Sequence, residues 1–325
     1  MGFLYREQKI GSTQVYHDME GEGWMFNKVE RVCGKRQRIR IGRHKEYGTM
    51  LDIDGLPQMV ERDDQYTPLF LLPSLFSLFY PKRPTQGIRV LLLGSGDGAA
   101  ARLLLKFSEV KSVLLIDISQ TVCESTQKFT PFWGGCERDP RLTVIYDDAF
   151  RLVPKLGMKY DFVGIDLTDP EDGAMPGYYS AAADLYSKGL ALISPLIAAG
   201  GVLVMQAGEL STRRWQGHVR LRTVLQDFFP SVYSYSGFVD WIGYPQSFIK
   251  CFPESDRLPF IPSNYCDVTP HVMKSIFQDA FHLDCSINPD ADHTVCNAFQ
   301  LLPPVYSLYT FAPLIEARIY PTTAR

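Results

Sequence analysis

Aspartates follow the predicted buried strands at the points where those strands end. Asp97 lies in a glycine-rich turn after the first strand, Asp117 ends the second, and Asp148 follows the third. Asp166 and Asp169 follow the fourth strand. Carboxylates accept hydrogen bonds from hydroxyl and amino groups and pair with cations. Because parallel strands end at the same edge of a sheet, where such sheets bind ligands, we expect an anionic binding site there.

The turn has the sequence GSGDG at residues 94–98, between a buried strand and a helix. Gly94 and Gly96 let the backbone turn tightly and approach a ligand closely. The turn lacks the lysine of a phosphate-binding loop, and its spacing departs from the GxGxxG pattern that binds a pyrophosphate. Asp97 would repel phosphates and attract a cation. The residues therefore favour an S-adenosyl-type sulfonium ligand over a dinucleotide.

The next two strand ends suit a nucleoside. Asp117 follows the glycine turn by about twenty residues, where a carboxylate can accept hydrogen bonds from both ribose hydroxyls. Asp148 is placed to accept from an adenine amino group, with Ala149 and Phe150 as apolar neighbours. Each aspartate also fits a second interpretation, as the capping residue of the helix that follows it.

The fourth strand ends in the segment DLTDP at residues 166–170, which carries two carboxylates close together. Like charges raise the pKa of one member of such a pair, which suits a general base, and the pair also suits an amine cation. The fifth strand ends between Gln206 and Glu209, which adds another acid, and Tyr244 follows as a possible aromatic wall. A solvated acidic loop is the alternative interpretation of the DLTDP segment.

Strands and helices alternate from residue 88 onward. This alternation predicts a doubly wound, mostly parallel α/β sheet of the Rossmann-like, methyltransferase type. Residues 1–80 instead alternate polar and apolar side chains with a period of two, which predicts a small antiparallel module of β-hairpins, followed by an apolar helix that ends before Pro81. We therefore expect two domains: the hairpin module at 1–80, and a nucleoside-binding domain at 81–325 with an extended C-terminal tail.

The composition is that of a soluble globular protein: 46% of the 325 residues are apolar and 21% are charged. A formal charge of -3 supplies no broad positive field, so nucleic acid is not expected as a partner. The apolar stretch at 69–79 is about half as long as a bilayer span and contains Pro73, so no membrane segment is expected. The N-terminus shows no signal core and the seven cysteines include no CxxC pair, which predicts a cytoplasmic chain with reduced thiols.

These residues resemble the polyamine aminopropyltransferases, the family of spermidine and spermine synthases. The turn GSGDGAAAR is similar to the family's GGGDGGxxR, DLTDP to its DxxDP signature, and the strand end DDAF to its adenine-contacting segment. Near the C-terminus, residues 288–303 resemble the family's closing NPDxHxAxFxLP with a small insertion. In the N-terminal module, Gln37, the segment at 47–55 and Gln58 resemble the family's YQ, YGNxLxLDG and Q sequence, so the resemblance covers residues from about 30 to 305.

The resemblance implies roles on the acceptor side of the site. By this resemblance, Asp166 is the base that takes a proton from the attacking amine. Asp169, Tyr66 and Tyr244 are expected to align that amine, which is the amine of a small polyamine substrate. Further acceptor-binding positions are expected at the end of the fifth strand, at Gln206 and Glu209.

The resemblance also implies the donor. Decarboxylated S-adenosylmethionine, or S-adenosylmethionine itself, is the expected co-substrate, with its own amine near Asp97 and its nucleoside lined by Gln37 and Gln58. Transfer of the aminopropyl group would release methylthioadenosine. No metal is required, and the sequence shows no His/Cys ligand cluster. A homodimer is expected by resemblance alone.

Departures from the family pattern cluster on the acceptor side. The family's tyrosine followed by His or Gln and Glu is Tyr66-Thr67-Pro68 here, its QGE is stretched, Ser119 replaces an Asp, and the tail at 253–284 is longer than expected, with no assigned role. The acceptor, putrescine or spermidine, therefore stays open. Two alternatives also remain: an S-adenosylmethionine-dependent N-methyltransferase of a small amine, and a catalytically silent regulatory subunit.

Overall fold

A computed structural model describes residues 24–32, 34–62, 64–79, 86–167, 188–209, 216–255 and 282–283. These residues form two β-sheets, one of four strands and one of eight. Five α-helices have defined bounds in this part of the chain: α1 (Tyr66–Phe79), α2 (Ala99–Leu104), α3 (Gln120–Phe129), α4 (Ala149–Leu152) and α5 (Gln216–Gln226).

The smaller sheet is an antiparallel meander, as the period-two pattern predicted. Its strands pair in chain order: β1 (Phe26–Val32), β2 (Lys35–His44), β3 (Gly48–Ile53) and β4 (Leu56–Val60). The β3–β4 turn places Asp54 and Gly55 at φ values of 55° and 89°, which is the geometry of a two-residue hairpin turn. The buried face of this sheet packs against α3 through side chains such as Ile39, Ile41 and Val122.

The larger sheet confirms the predicted doubly wound, mostly parallel architecture. Its parallel strands are β5 (Ile88–Gly94), β6 (Val110–Asp117), β7 (Leu142–Tyr146), β8 (Tyr160–Asp166) and β9 (Ile197–Glu209). An antiparallel hairpin, β10 (Ser231–Val239) and β11 (Tyr244–Phe252), follows beside β9, and β12 (His282–Leu283) lies at the edge. The spatial order is β12-β10-β11-β9-β8-β5-β6-β7.

The strand order reverses direction at β5. The chain runs from β5 to β6 and β7 on one side, and then returns to β8 on the other side of β5. Ligands of such sheets bind in the crevice outside the carboxyl ends of the strands at this point of reversal. The register brings those ends together, because Gly94 pairs with Asp166 and Leu93 pairs with Ile116.

Helix α1 packs on the larger sheet, although the sequence grouped it with the N-terminal module. The Tyr235 hydroxyl, from β10, donates to the carbonyl oxygen of Leu69 at 2.9 Å, and the rings of Phe70 and Phe248 lie 5.9 Å apart. This contact places Tyr66, the first residue of α1, beside the strand ends. The division of the chain at residue 80 stays a prediction. Among the described residues, no helix has the length and apolar character of a membrane span.

Candidate active site

Asp166, at the end of β8, is held by hydroxyl groups on both of its carboxylate oxygens. The Tyr66 hydroxyl donates to Oδ1 at 2.6 Å, and the Ser95 hydroxyl donates to Oδ2 at 2.8 Å. These donors come from α1 and from the glycine turn, so three separate elements meet at this carboxylate. Burial raises the pKa of Asp166, while the two hydroxyl hydrogen bonds lower it.

The glycine turn is compressed between β8 and β6. A Cβ atom at Gly94 would lie 2.0 Å from the carbonyl oxygen of Asp166, and Gly94 also has a φ of 85°. A Cβ atom at Gly96 would lie 2.5 Å from the carboxylate of Asp117. Since no side chain fits at either position, these glycines bring the backbone against both neighbouring strand ends, as the sequence predicted.

Asp117 ends β6 and is oriented by two backbone amides. Its Oδ2 accepts from the Gly96 amide at 2.9 Å, and its Oδ1 accepts from the Ser119 amide at 2.8 Å. Burial raises the pKa of Asp117 to about 6, although these amides lower it. Ile118, the next residue, leaves 43% of its surface exposed.

Asp97 lies in the turn, where its Oδ1 accepts from the Ala99 amide at 2.8 Å. Burial raises its pKa to about 7. The negative charges of three further aspartates add to this increase, namely Asp166, Asp64 and Asp117. A buried group of carboxylates with raised pKa values is a frequent property of functional sites and suits a cationic ligand.

Asp64 belongs to this group of carboxylates, and the sequence analysis missed it. It precedes α1, and its Oδ1 accepts from the Thr67 amide at 2.9 Å, as a helix-capping residue does. Burial raises its pKa, and the charge of Asp166 adds to that increase. Its position two residues before Tyr66 could have indicated this role, because both residues lie at the start of the helix that reaches the strand ends.

Asp148 adopts the capping role that was its alternative interpretation. It is the N-cap of α4, and its Oδ1 accepts from the Phe150 amide at 2.9 Å. Ala149 is buried at the start of the helix. The neighbouring Asp147 forms an ion pair with Arg151. An adenine-binding role for the Asp148–Ala149 pair stays a prediction.

The end of β9 is fixed by a buried glutamine. The Gln206 amide donates from Nε2 to the carbonyl oxygen of Leu167 at 2.6 Å. Its Oε1 accepts from the Gly208 amide at 3.0 Å and from Gln246 Nε2 at 3.1 Å. Gln206 therefore holds the backbone of Leu167, the residue directly after Asp166.

Glu209 and Tyr244 lie at the neighbouring ends of β9 and β11, and both are half-buried. Tyr66, at the start of α1, lies within an aromatic cluster. Its ring centroid is 5.4 Å from that of Phe248 and 6.5 Å from that of Trp241. Trp241 is only 2% exposed.

The two glutamines predicted for the nucleoside site lie in different surroundings. Gln37 pairs with Glu30 across β1 and β2, and residues directly opposite one another in antiparallel strands project from the same face. Glu30 accepts a hydrogen bond from the Ser119 hydroxyl, so this face of the smaller sheet lies near Asp117. Gln58, in contrast, is exposed, and its amide donates to the carbonyl oxygen of Leu56 at 3.1 Å.

Two predicted elements of the site lie outside the described residues: Asp169 and the closing motif at 288–303. Across the described ranges, no three His, Cys, Asp or Glu side chains are grouped so as to hold a metal ion.

The fold and these strand ends define an α/β protein of the Rossmann-like, methyltransferase type. A sequence model of the spermine/spermidine synthase domain matches residues 80–239. The polyamine aminopropyltransferase of Thermoplasma volcanium is 33% identical over 214 residues, which are 65% of this chain and 72% of that protein. The chain therefore belongs to the polyamine aminopropyltransferase family, which is a family of transferases.

Other similarities agree with this membership. Thermospermine synthase ACAULIS5 of Arabidopsis thaliana is 32% identical over 189 residues, which are 57% of this chain and 53% of that protein. A solved spermidine synthase, in complex with the transition state analogue AdoDATO, aligns with a TM-score of 0.62 at 21% identity. That alignment covers 74% of this chain and 77% of the other, and it shows the shared fold.

Proposed function

We propose that this chain transfers an aminopropyl group from decarboxylated S-adenosylmethionine to a di- or polyamine, putrescine or spermidine, and releases methylthioadenosine. The observation that carries the proposal is the carboxylate of Asp166, which lies at the point of strand reversal with a tyrosine hydroxyl on one oxygen and a serine hydroxyl on the other. Family membership supplies the reaction class, and this carboxylate supplies a base for it.

The donor would lie across the ends of β5, β6 and β7. Asp117 would accept hydrogen bonds from the ribose hydroxyls, since its two oxygens are already oriented by backbone amides. Asp148 and Ala149 would contact the adenine. Exposed apolar surface at Ile118 supports a ring-binding position beside the ribose.

Asp97 would bind the primary amine of the donor. A cationic amine favours the ionised carboxylate, so its binding would lower the pKa of Asp97 that burial has raised. Full S-adenosylmethionine carries a carboxylate next to this amine. The negative charge of that carboxylate would face the carboxyl groups of Asp97, Asp64 and Asp166. The site therefore favours the decarboxylated donor.

Asp166 would act as the general base. Aliphatic amines resemble lysine, whose reference pKa is about 10.4, so the acceptor arrives protonated and has no lone pair for attack. Asp166 takes the proton, and the nitrogen lone pair forms a bond to the propyl carbon next to the sulfonium. The carbon–sulfur bond breaks, and its electron pair stays on sulfur. The leaving group is neutral, so the protein contributes chiefly alignment and exclusion of water.

The acceptor would be aligned by Tyr66, Tyr244 and Glu209, and by Asp169 from the segment after β8. Tyr66 already contacts Asp166, so an amine bound beside the Tyr66 hydroxyl is close to the base. The names of the relatives do not select one acceptor, since they include a thermospermine synthase. A cytoplasmic homodimer is carried over from the family resemblance and belongs to the same proposal.

Mass spectrometry of products tests the proposal. The protein is incubated with putrescine, spermidine or cadaverine, each with decarboxylated or full S-adenosylmethionine. We expect a gain of one aminopropyl group with the decarboxylated donor only. A gain of one methyl group with the full donor would assign the chain to the N-methyltransferases. If no pair gives a product but methylthioadenosine still binds in calorimetry, the regulatory interpretation replaces the proposal.

A further inference from the structure

Ser95 occupies a position in the glycine turn where the backbone favours glycine. Its φ is 64°, and among the described residues only Asp54 shares a positive φ without being a glycine. Asp54 lies in a hairpin turn, where an aspartate is common at such angles. Serine is not one of the residues enriched in this conformation. The family pattern GGGDGGxxR has glycine at the position of Ser95.

Backbone strain of this kind persists when the surroundings impose it, and it concentrates at functional sites. Gly94 and Gly96, on either side, have no room for a side chain. Ser95 differs because its side chain fits and is 95% buried, with an exposed fraction of 5%. The hydroxyl therefore lies inside the site and offers one donor to it.

That donor is directed at Asp166. The Ser95 hydroxyl donates to Oδ2 at 2.8 Å, on the oxygen opposite the one that Tyr66 contacts. The two hydrogen bonds fix the plane of the carboxylate between α1 and the turn. With glycine at position 95, Tyr66 would be the only hydroxyl on this carboxylate among the groups described.

Burial opposes the ionisation of Asp166, since it raises the pKa of this carboxyl. Three further carboxyl groups lie near it, namely Asp97 in the turn, Asp117 at the end of β6 and Asp64 at the start of α1, and the charge of Asp166 adds to the raised pKa of each. A general base in these surroundings needs donors that stabilise its charged form.

We propose that Ser95 is a positioning residue of this chain, which fixes the orientation of the Asp166 carboxylate and keeps it ionised so that it can accept a proton. The inference rests on the proposed function for its consequence in catalysis. Its structural part, the stabilisation of ionised Asp166 by a serine hydroxyl, does not depend on the substrate.

The test compares Ser95→Ala with Ser95→Gly. Both remove the hydroxyl, but glycine also removes the strain of the positive φ, so Ser95→Gly remains folded even if Ser95→Ala does not. Ser125→Ala is the matched control, since it removes another buried serine hydroxyl, one that donates to the Val122 carbonyl in α3.

The first measurement is the pH profile of kcat at saturating substrates. We expect the acidic limb to move to higher pH by about one pH unit in both Ser95 variants, which is a tenfold change in proton affinity. The profile of Ser125→Ala stays that of the wild type. The titration of the acceptor itself is the same in every variant, so it cancels in the comparison.

The second measurement needs no turnover. Carboxyl-carbon NMR follows the titration of Asp166 directly, with the signal assigned through Asp166→Asn. We expect its midpoint to be higher in both Ser95 variants. Unchanged midpoints would overturn the inference, whether or not the wild type forms product. An inactive wild type whose Asp166 midpoint rises in both variants would instead count against the proposed function alone.

Discussion

Asp166 is the residue on which the proposed reaction depends. Asp166→Asn keeps the size of the side chain but removes the base, so we expect turnover to fall by about a hundredfold to ten-thousandfold. The affinity for methylthioadenosine, measured by calorimetry, should stay within about twofold, because the nucleoside is bound by other strand ends.

Asp161→Asn is a matched control for this change. Asp161 lies on the same strand, near its opposite end, where its Oδ2 accepts from the Arg89 amide at 2.8 Å. This variant should retain the turnover of the wild type. Full turnover by Asp166→Asn would remove Asp166 as the base.

Asp97 leads to a prediction about pH. Its pKa is about 7 in the ligand-free chain, so below pH 7 the carboxyl is mostly neutral and offers no charge to the donor amine. The affinity for decarboxylated S-adenosylmethionine should therefore rise between pH 6 and pH 8, by about tenfold relative to methylthioadenosine, which lacks the amine. Calorimetry with both ligands measures this ratio.

The pKa of Asp117 is about 6, and its titration affects the affinity for both ligands through the ribose. The ratio of the two affinities therefore separates the effect of Asp97 from that of Asp117. Asp97→Asn should make the two pH profiles parallel while the affinity for methylthioadenosine changes little. Parallel profiles already in the wild type would show that Asp97 does not bind the amine.

At the scale of elements, strand β1 docks on helix α3 through one face. Its aromatic contact is Phe26 with Phe129, at 5.5 Å between ring centroids, and Lys28 Nζ donates to the Thr121 hydroxyl at 3.1 Å. Glu30 accepts from the hydroxyl of Ser119. This face connects the N-terminal sheet to the larger sheet beside the predicted ribose position.

Only the Glu30 contact continues into the site. Ser119 caps α3, because its Oγ accepts from the Val122 amide, and its own amide donates to Asp117. We expect Glu30→Ala to weaken methylthioadenosine binding about fivefold, the effect of roughly 1 kcal/mol. Lys28→Ala removes a docking contact of the same strand but should leave this affinity unchanged. Equal losses of affinity for methylthioadenosine in both variants would show that Glu30 acts only by docking β1 on α3.

At the scale of the whole molecule, the described residues contain buried groups whose titration affects stability in opposite directions. His218 is buried between the hydroxyls of Ser247 and Ser234, at 2.9 and 2.8 Å from its two ring nitrogens. Burial lowers its pKa to about 3. Asp52 in the smaller sheet shows the reverse, since burial raises its pKa to about 7, although its ion pair with Arg40 at 2.7 Å acts against this increase.

The sign for His218 follows from proton binding. The unfolded chain binds a proton there below about pH 6.5, and the folded chain does not, so stability is lost as pH falls from 6.5 toward 3. At pH 5.5 this loss is about 1.4 kcal/mol. Asp52 acts in the opposite direction, because its raised pKa removes stability as pH rises from about 4 to 7.

Chemical denaturation at pH 7.5 and pH 5.5 measures the effect of His218. We subtract the free energy of unfolding at pH 5.5 from that at pH 7.5. This difference should be lower in His218→Asn than in the wild type by about 1.4 kcal/mol. Comparison with the wild type cancels Asp52, which both proteins contain. The same pH dependence in both proteins would show that His218 binds its proton as readily in the folded chain as in the unfolded chain.

The fold was largely predictable because its signals are local. Buried strands, period-two hairpins and the apolar helix before Pro81 each lie within a short segment, and the structure confirms all of them. The packing of α1 on the larger sheet was not predicted. An apolar helix without a polar face can bury itself against either neighbour, and its own residues do not select one.

The site, like the fold, has features that the local sequence predicts and contacts that it does not. The amino-acid sequence by itself determined the glycine turn and the aspartates at successive strand ends, because strand, turn and acid are adjacent in the chain. Tertiary structure alone decided that Ser95, Tyr66 and Asp64 surround Asp166, and that Glu30 reaches Ser119. These contacts join residues far apart in sequence through hydroxyl and carboxylate groups, and hydrophobic periodicity carries no information about which polar groups will meet.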